Sequence, residues 1–587
     1  MFFCKLKIKF THTQYLLFII LLIGFLLRFI FLSEIPPGIA NDEANIILSA
    51  ISFSKTGENI PGVVTGILGN PTGDYRTGIH SEISSYILTP SLFIFGASWP
   101  LMKIPFVILG LGTIILSYLL TKKLINAKVA LLVALLSAIS PWSIMFSRSA
   151  YESIISCFFY LLALYLVIKL KEWKILYSLP FFLMGFASYF SAKTLFLPLI
   201  IFCIPITKLF HPNTSLKPVI ILNILALLFL AIYLPILYNN PAGVRFNEFK
   251  STEIQDSVNL KRKASLDYPF VTIFENKYSE ELKIRLRSYM GGLSPKFLFL
   301  DGEIWNIPSI SLPDHGPMYL IDGLLILLGI IYLAKSNPKV LFFLLGLIPI
   351  TLIPNFLNLQ GTTYMIRTVI LIPILIIFSS CGIYYLLQNL PKNRFFAFGS
   401  ISLIILIYFL LFGNFIFQYY SRMPIDRSDS WFFHQRLLAQ YINLSSQTEK
   451  NPNIIISTPE PKNTFFKLLL FNQSYNVPSQ IRQINQNLKN KDYLFNQVIV
   501  TDKCPDMNTS NQATVFYDSA ISNCIFTKGN SIASIRDGGT NYYITNDLLC
   551  TNTSNQRYPF VKNLNDLNIE NLSKEEFCQK FIVNPFK

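Results

Sequence analysis

Carboxylates and cations able to handle a phosphate recur at one set of turns in this chain. Asp42 and Glu43 stand side by side after a first apolar run, Arg148 and Glu152 share one short turn, and Lys193 and Arg367 each border a further run. A carboxylate can take the proton of an attacking hydroxyl, and cations can hold a phosphate and stabilise it as it leaves. Together the two residue types suit transfer of a phosphate-linked group to a hydroxyl. Pro36-Pro37-Gly38 ends the first run, and Asn41 is a fair N-cap for a new helix. From Ala44, the apolar residues Ile46, Ile47, Ala50, Ile51 and Phe53 follow helical spacing, which predicts an amphipathic helix lying at a membrane surface. The dipole of such a helix favours an ionised carboxylate in its first turn. Both acids could equally be a helix cap, and snorkelling accounts for any one of the cations alone. The common placement of the set favours chemistry, because other basic residues are scarce on the same turns.

A membrane must position these residues. Of 587 residues, 52% are apolar and 14% charged, against roughly 25% charged in soluble domains, and mean hydropathy is +0.45. About 18 apolar residues suffice to span a bilayer. Such runs fall at Tyr15–Leu32, Ile104–Leu120, Val129–Phe146, Ile154–Ile168, Ile175–Tyr189, Leu195–Ile206, Val219–Leu237, Met318–Leu333, Val340–Ile353, Ile366–Leu387 and Phe395–Phe417, the fifth and sixth being short. The first exceeds a secretory signal core, contains Arg28 and is followed by no small-residue cleavage site, so it reads as a span. The net charge of +16 would point to nucleic acid if it formed a patch. Instead the basic residues cluster between apolar runs, where they report topology. With a cytoplasmic N-terminus, the pairs and triplets at Lys122–Lys128, Lys169–Lys174, Lys208–Lys217, Lys335–Lys339 and Lys392–Arg394 all fall inside. The short outer turns then carry one basic residue each: Arg148, Lys193 and Arg367. Eleven spans place the C-terminus outside.

Two long outer segments follow, Ser33 to about Pro100 and Tyr238–Pro317. Residues 418–587 differ in kind, being polar and Asn-rich. A helix-like run at Trp431–Leu444 and strand-like runs at Asn453–Ser457, Gln497–Thr501 and Tyr542–Thr545 predict a small α/β domain. Cys504, Cys524, Cys550 and Cys578 all lie in it, which predicts two disulfides in any of three pairings. The expected fold class is therefore a polytopic α-helical membrane protein of about eleven spans, residues 1–417, with an extracytoplasmic α/β domain, residues 418–587.

The Asp42-Glu43 pair soon after the first span resembles the GT-C superfamily of integral-membrane glycosyltransferases, in particular the branch of protein O-mannosyltransferases and lipid A aminoarabinose transferases. The likeness continues through Gly57, Asp74-Tyr75-Arg76-Thr77-Gly78-Ile79-His80, the run from Ile139 to Glu152, Lys193, the run from Leu293 to Gly302, and Tyr364-Met365-Ile366-Arg367. It covers about residues 10 to 415. The resemblance implies an inverting transfer of a monosaccharide from a polyprenyl-phosphate donor, with membrane lipids around it and an acceptor left open among protein, lipid and glycan. It implies Asp42 as catalytic carboxylate, with Glu43 and Glu152 as further acids. Arg148, Lys193, Arg367, His80 and Tyr364 would then lie at the donor phosphate. Two positions depart from the family pattern: His80-Ser81-Glu82 stands where relatives often have a charged residue followed by prolines, and Tyr364 where a His is common. Both leave metal binding without support, so no metal or cofactor is assigned. The oligosaccharyltransferase signature of the Trp-Trp-Asp-Tyr-Gly type is missing from the sequence.

Two other classes fit the composition. A transporter or flippase of lipid-linked sugars predicts internal repeats and charges near the bilayer midplane, whereas here no repeat is visible and the charges sit at one face. A non-catalytic envelope assembly protein would explain the C-terminal domain but not the ordered acids and cations. An outer-face metal hydrolase using His80, Glu303, Asp314 or His315 lacks any helical metal-ligand spacing.

Overall fold

The computed structural model describes residues 11–61, 63–65, 80–96, 101–238, 252–266, 269–303, 311–312, 314–357, 363–368, 370–391, 393–448, 453–505, 513–522, 524, 529–550, 559 and 561–584. The membrane-side helices are α1 (His12–Phe29), α2 (Asn41–Thr56), α3 (Glu82–Phe95), α4 (Ile104–Leu124), α5 (Ala127–Ile139), α6 (Pro141–Ser147), α7 (Glu152–Lys169), α8 (Leu179–Ser188), α9 (Lys193–Phe210) and α10 (Lys217–Tyr238). After them come α11 (Thr252–Lys263), α12 (Lys277–Gly291), α13 (Asp322–Ser336), α14 (Pro338–Thr351), α15 (Leu371–Gln388) and α16 (Arg394–Phe417). Among the described residues, eight helices are long and apolar enough to cross a membrane, or nine if α5 and α6, bent by 58°, form one span. The chain is a multi-pass membrane protein.

Each of the eleven apolar runs is helical, but two fall short of a full span. The run Ile175–Tyr189 is divided into a 3-10 stretch, Glu172–Ser178, and the ten-residue α8. Pro180, in the first turn of α8, has no N–H to continue the preceding ladder. The run Met318–Leu333 gives the 15-residue α13, which begins where the Asp322 carboxylate accepts the Tyr319 N–H. Gly329 of α13 and Gly382 of α15 let these two backbones touch: a Cβ on Gly329 would meet the Phe378 carbonyl at 1.9 Å, and one on Gly382 the Leu325 carbonyl at 2.0 Å. Small residues at such a crossing are how helices associate in lipid. By contrast α1 presents Tyr15, Phe18, Leu22 and Phe25 outward, a surface suited to acyl chains.

The helix expected to float at the membrane surface does not. Residues 43–52 of α2 are buried all round, because the C-terminal domain covers the side that faces away from the spans. Its start also shifts by one residue: Ala40 precedes the first turn and Asn41 is inside it, with Glu43 accepting the Ala40 N–H at 3.0 Å. Gly57 ends the helix at φ 76°, the left-handed conformation a glycine adopts freely.

The C-terminal domain holds α17 (Phe433–Thr448), α18 (Pro461–Phe471), α19 (Pro478–Lys489) and α20 (Lys574–Phe581) against a seven-stranded sheet. Its strands are β3 (Ile454–Ser457), β4 (Tyr493–Phe495), β5 (Val498–Thr501), β6 (Thr514–Asp518), β7 (Asn530–Ala533), β8 (Thr540–Thr545) and β9 (Ile582–Val583), after the short pair β1 (Val64–Thr65) and β2 (His80–Ser81). The order is β4-β5-β3-β6-β8-β7-β9. The central β3, Ile454-Ile455-Ile456-Ser457, is buried along its length and parallel to both neighbours, as a strand covered on both faces must be. Disulfides join Cys504 to Cys524 and Cys550 to Cys578. The final membrane helix runs on past residue 417 through a π-helical turn, Gln418–Arg422, to Asp426.

Candidate active site

The two acids at the head of α2 point in different directions. Consecutive helical residues project about 100° apart, and here that separates Asp42, which is exposed, from Glu43, which is fully buried. The Glu43 carboxylate takes the Ala40 N–H with one oxygen and the Ala150 N–H, at 2.5 Å, with the other. Burial raises its pKa, and Lys103, also fully buried, opposes that rise. The Glu43 carboxylate thus pins α2 to the turn before α7. Both of its oxygens face backbone donors in the core.

Arg148 is engaged in the core in a similar way. Its guanidinium is fully buried and donates to the carbonyls of Leu27, Ile30, Phe31 and Ile35 at 2.7–3.2 Å. These carbonyls lie at the C-terminal end of α1 and in the turn after it; Tyr420 stands 3.3 Å from the guanidinium and donates its own hydroxyl to the Leu27 carbonyl at 2.7 Å. A fork engaged with four carbonyls clamps the exit of α1. Arg28 does the same one turn earlier, tying α1 to the Ala138 carbonyl and to Ser143 and Ser147.

The remaining residues gather around two phenols. Tyr189, half-buried at the end of α8, feels the charges of Arg367, Glu152 and Asp42 together. Tyr151, buried before α7, feels Asp42, Glu43 and Glu303; burial first and those acids next push its pKa well above the ordinary value, so it stays a neutral donor. Glu152 opens α7, and the Ser84 hydroxyl of α3 bridges it, at 3.3 Å, to the Ser188 carbonyl at the end of α8. Arg367 ends a 3-10 turn, Met365–Arg367, with its guanidinium 4.6 Å from the centre of the Tyr364 ring. That turn is held by Glu303, which accepts the Met365 N–H at 3.0 Å. Burial pushes the Glu303 carboxyl up to about 7, against the pull of Met365, Arg367 and Arg427.

Lys193, at the head of α9, lies four residues beyond Tyr189. Its ammonium donates to the Tyr233 hydroxyl at 3.1 Å and sits 4.6 Å from the centre of the Phe186 ring. The His80 backbone pairs with Val64, and its side chain lies outside the described residues. No group of three or more His, Cys, Asp or Glu side chains converges among the described residues. Two of these groups are not marked as a pair in the sequence: Tyr189 carries no pattern, and Glu303 stands out there only as a metal-ligand candidate.

No protein-family model matches the chain, and no curated protein matches it. Solved structures do. ArnT from Cupriavidus metallidurans in the apo state aligns at 10% identity and a TM-score of 0.45, over 91% of this chain and 98% of that one. The same protein bound to undecaprenyl phosphate aligns over the same shares with a TM-score of 0.46. The archaeal oligosaccharyltransferase AglB from Archaeoglobus fulgidus, in complex with an inhibitory peptide and a dolichol-phosphate, aligns at 13% identity and a TM-score of 0.41 over 80% of this chain. This chain spans 64% of the length of AglB.

Proposed function

We propose that this protein is an inverting membrane glycosyltransferase that moves a monosaccharide from a polyprenyl phosphate to an acceptor hydroxyl, with Asp42 as general base. One observation supports this reading above others: an exposed carboxylate at a helix start, Asp42, shares the surroundings of Tyr189 with Glu152 and Arg367. In the proposed step Asp42 takes the acceptor proton while the acceptor oxygen bonds to the anomeric carbon. The bond from that carbon to the phosphate oxygen breaks, and the electron pair leaves with the phosphate. Arg367 compensates the charge that develops there. Glu152 and Tyr189 orient the acceptor, and Lys193, Tyr364 and His80 border the donor. Residues 1–417 would carry the chemistry on the side of the membrane opposite the N-terminus, and residues 418–587 would lie on that same side.

The test uses purified full-length protein and a panel of polyprenyl-phosphate monosaccharides (mannose, glucose, galactose and arabinose). Release of polyprenyl phosphate by the unmodified protein, lost in Asp42→Asn, supports the reading. Release at the unmodified rate by a folded Asp42→Asn protein overturns it and makes Glu152 the base to examine.

A further inference from the structure

The C-terminal domain grips the chain that leads into Asp42 at three successive points. Gly38 lies so close to the loop before α17 that a Cβ there would meet the Trp431 carbonyl at 2.0 Å. Arg436 donates to the Pro37 carbonyl at 2.8 Å and is itself held by the Glu570 carboxylate at 2.6–2.7 Å. Lys467 donates to the Asn41 side-chain oxygen, next to Asp42.

Lys467 is the unusual member. It sits in α18 within the run Phe465-Phe466-Lys467-Leu468-Leu469, and its side chain is fully buried. Burying an ammonium is unfavourable, and a Leu or Met of similar volume would avoid the desolvation. The ammonium stands 3.5 Å from the centre of the Phe432 ring, a cation–π contact that offsets part of that penalty. Phe432 is held at φ 56°, a left-handed conformation disfavoured for a bulky residue. Backbone strain of this kind persists where surrounding structure imposes it, and here it brings the ring beneath the ammonium. The titratable groups that face Lys467 are Asp42 on α2, Glu460 before α18 and His434 on α17. Burial lowers the ammonium to about 7 against the pull of both carboxylates. His434, lowered to about 3 by burial and then by Lys467, is neutral and does not compete.

We propose that Lys467 is a positioning residue for the base: by donating to the Asn41 side chain it fixes the first turn of α2 and with it the placement of the Asp42 carboxylate. The C-terminal domain is then part of the active site rather than an appendage. This rests on the assignment of Asp42 above.

Three variants of the full-length protein test it, each assayed for polyprenyl-phosphate release across pH with the donor panel named above. In Lys467→Met kcat should fall about tenfold through misplacement of the carboxylate, with donor KM unchanged. Lys467→Arg, which can still donate to Asn41, should restore kcat. Asn41→Ala, at a half-buried position that tolerates the change, should lower kcat without moving donor KM, and it carries the test if Lys467→Met does not fold. A folded Lys467→Met protein with unmodified kcat overturns the proposal, as does Asn41→Ala with unmodified kcat. If those variants are unaffected while Asp42→Asn is inactive, the base assignment stands and only the role of Lys467 falls.

Discussion

The Glu43 carboxylate accepts the backbone N–H of Ala150 across 107 residues of chain, at 2.5 Å in the core. That bond ties the helix bearing Asp42 to the turn that precedes Glu152. The Asp42-Glu43 pair is thereby divided, one acid outward and one structural. Glu43→Gln would turn an amide NH2 toward one of two backbone donors, leaving it unsatisfied. Melting in detergent should show a loss of about 1–3 kcal/mol, with activity falling only as the folded fraction falls. Asp42→Asn should melt normally and lose ~10²–10⁴-fold in transfer rate.

Arg148 should behave as a clamp. Arg148→Ala removes the guanidinium from the carbonyls of Leu27, Ile30, Phe31 and Ile35, of which Leu27 keeps the Tyr420 hydroxyl and Phe31 the Ile35 N–H, at an expected cost of about 3 kcal/mol. Arg148→Lys should rescue little, because one ammonium cannot reproduce a planar fork. Thermal unfolding of the three proteins decides this. A well-folded Arg148→Ala protein with weakened donor binding would return Arg148 to the phosphate site.

Arg367→Ala should weaken binding of polyprenyl phosphate, measured by titration, by ~10-fold or more, the loss of a charge-assisted contact. Transfer should fall further than binding, because the cation acts most on the charge that develops as the phosphate leaves. Unchanged affinity together with an unchanged rate would remove Arg367 from the site.

Non-reducing peptide mapping should recover Cys504 linked to Cys524 and Cys550 linked to Cys578. The loops they close span 20 and 28 residues, so each bridge should stabilise the domain by about 3 kcal/mol on chain-entropy grounds. Any other pairing contradicts the arrangement of β5, β6 and α20.

Glu303 supplies a pH signature. Its folded pKa is raised from 4.5 to about 7, chiefly by burial, so the native state binds this proton more tightly than the unfolded chain does. Its favourable contribution is complete below about pH 4.5 and is lost as pH rises towards 7. Melting temperature should fall across that window, and Glu303→Gln should flatten the slope. A slope that survives the substitution assigns the effect to another group.

Local pattern was enough for much of this protein. Apolar length placed every membrane helix, and strand-like composition placed β3, β5 and β8, because burial against lipid or within a sheet is written in consecutive residues. The exposed acid at a helix start was legible for the same reason: Asp42 stands four residues after Gly38, where Pro36-Pro37-Gly38 ends the preceding run. The direction of each charged side chain was not. Whether Arg148 meets a ligand or four carbonyls depends on where α1 ends in space, and whether Glu43 or Asp42 faces the core depends on what packs against α2. The burial of α2 itself, read as a membrane-surface helix, required α18 and α19, more than 400 residues along the chain. Lys467, Tyr189 and Glu303 enter the site by the same route. A buried charge is stable only beside partners, and those partners come from distant segments that only the folded chain brings together.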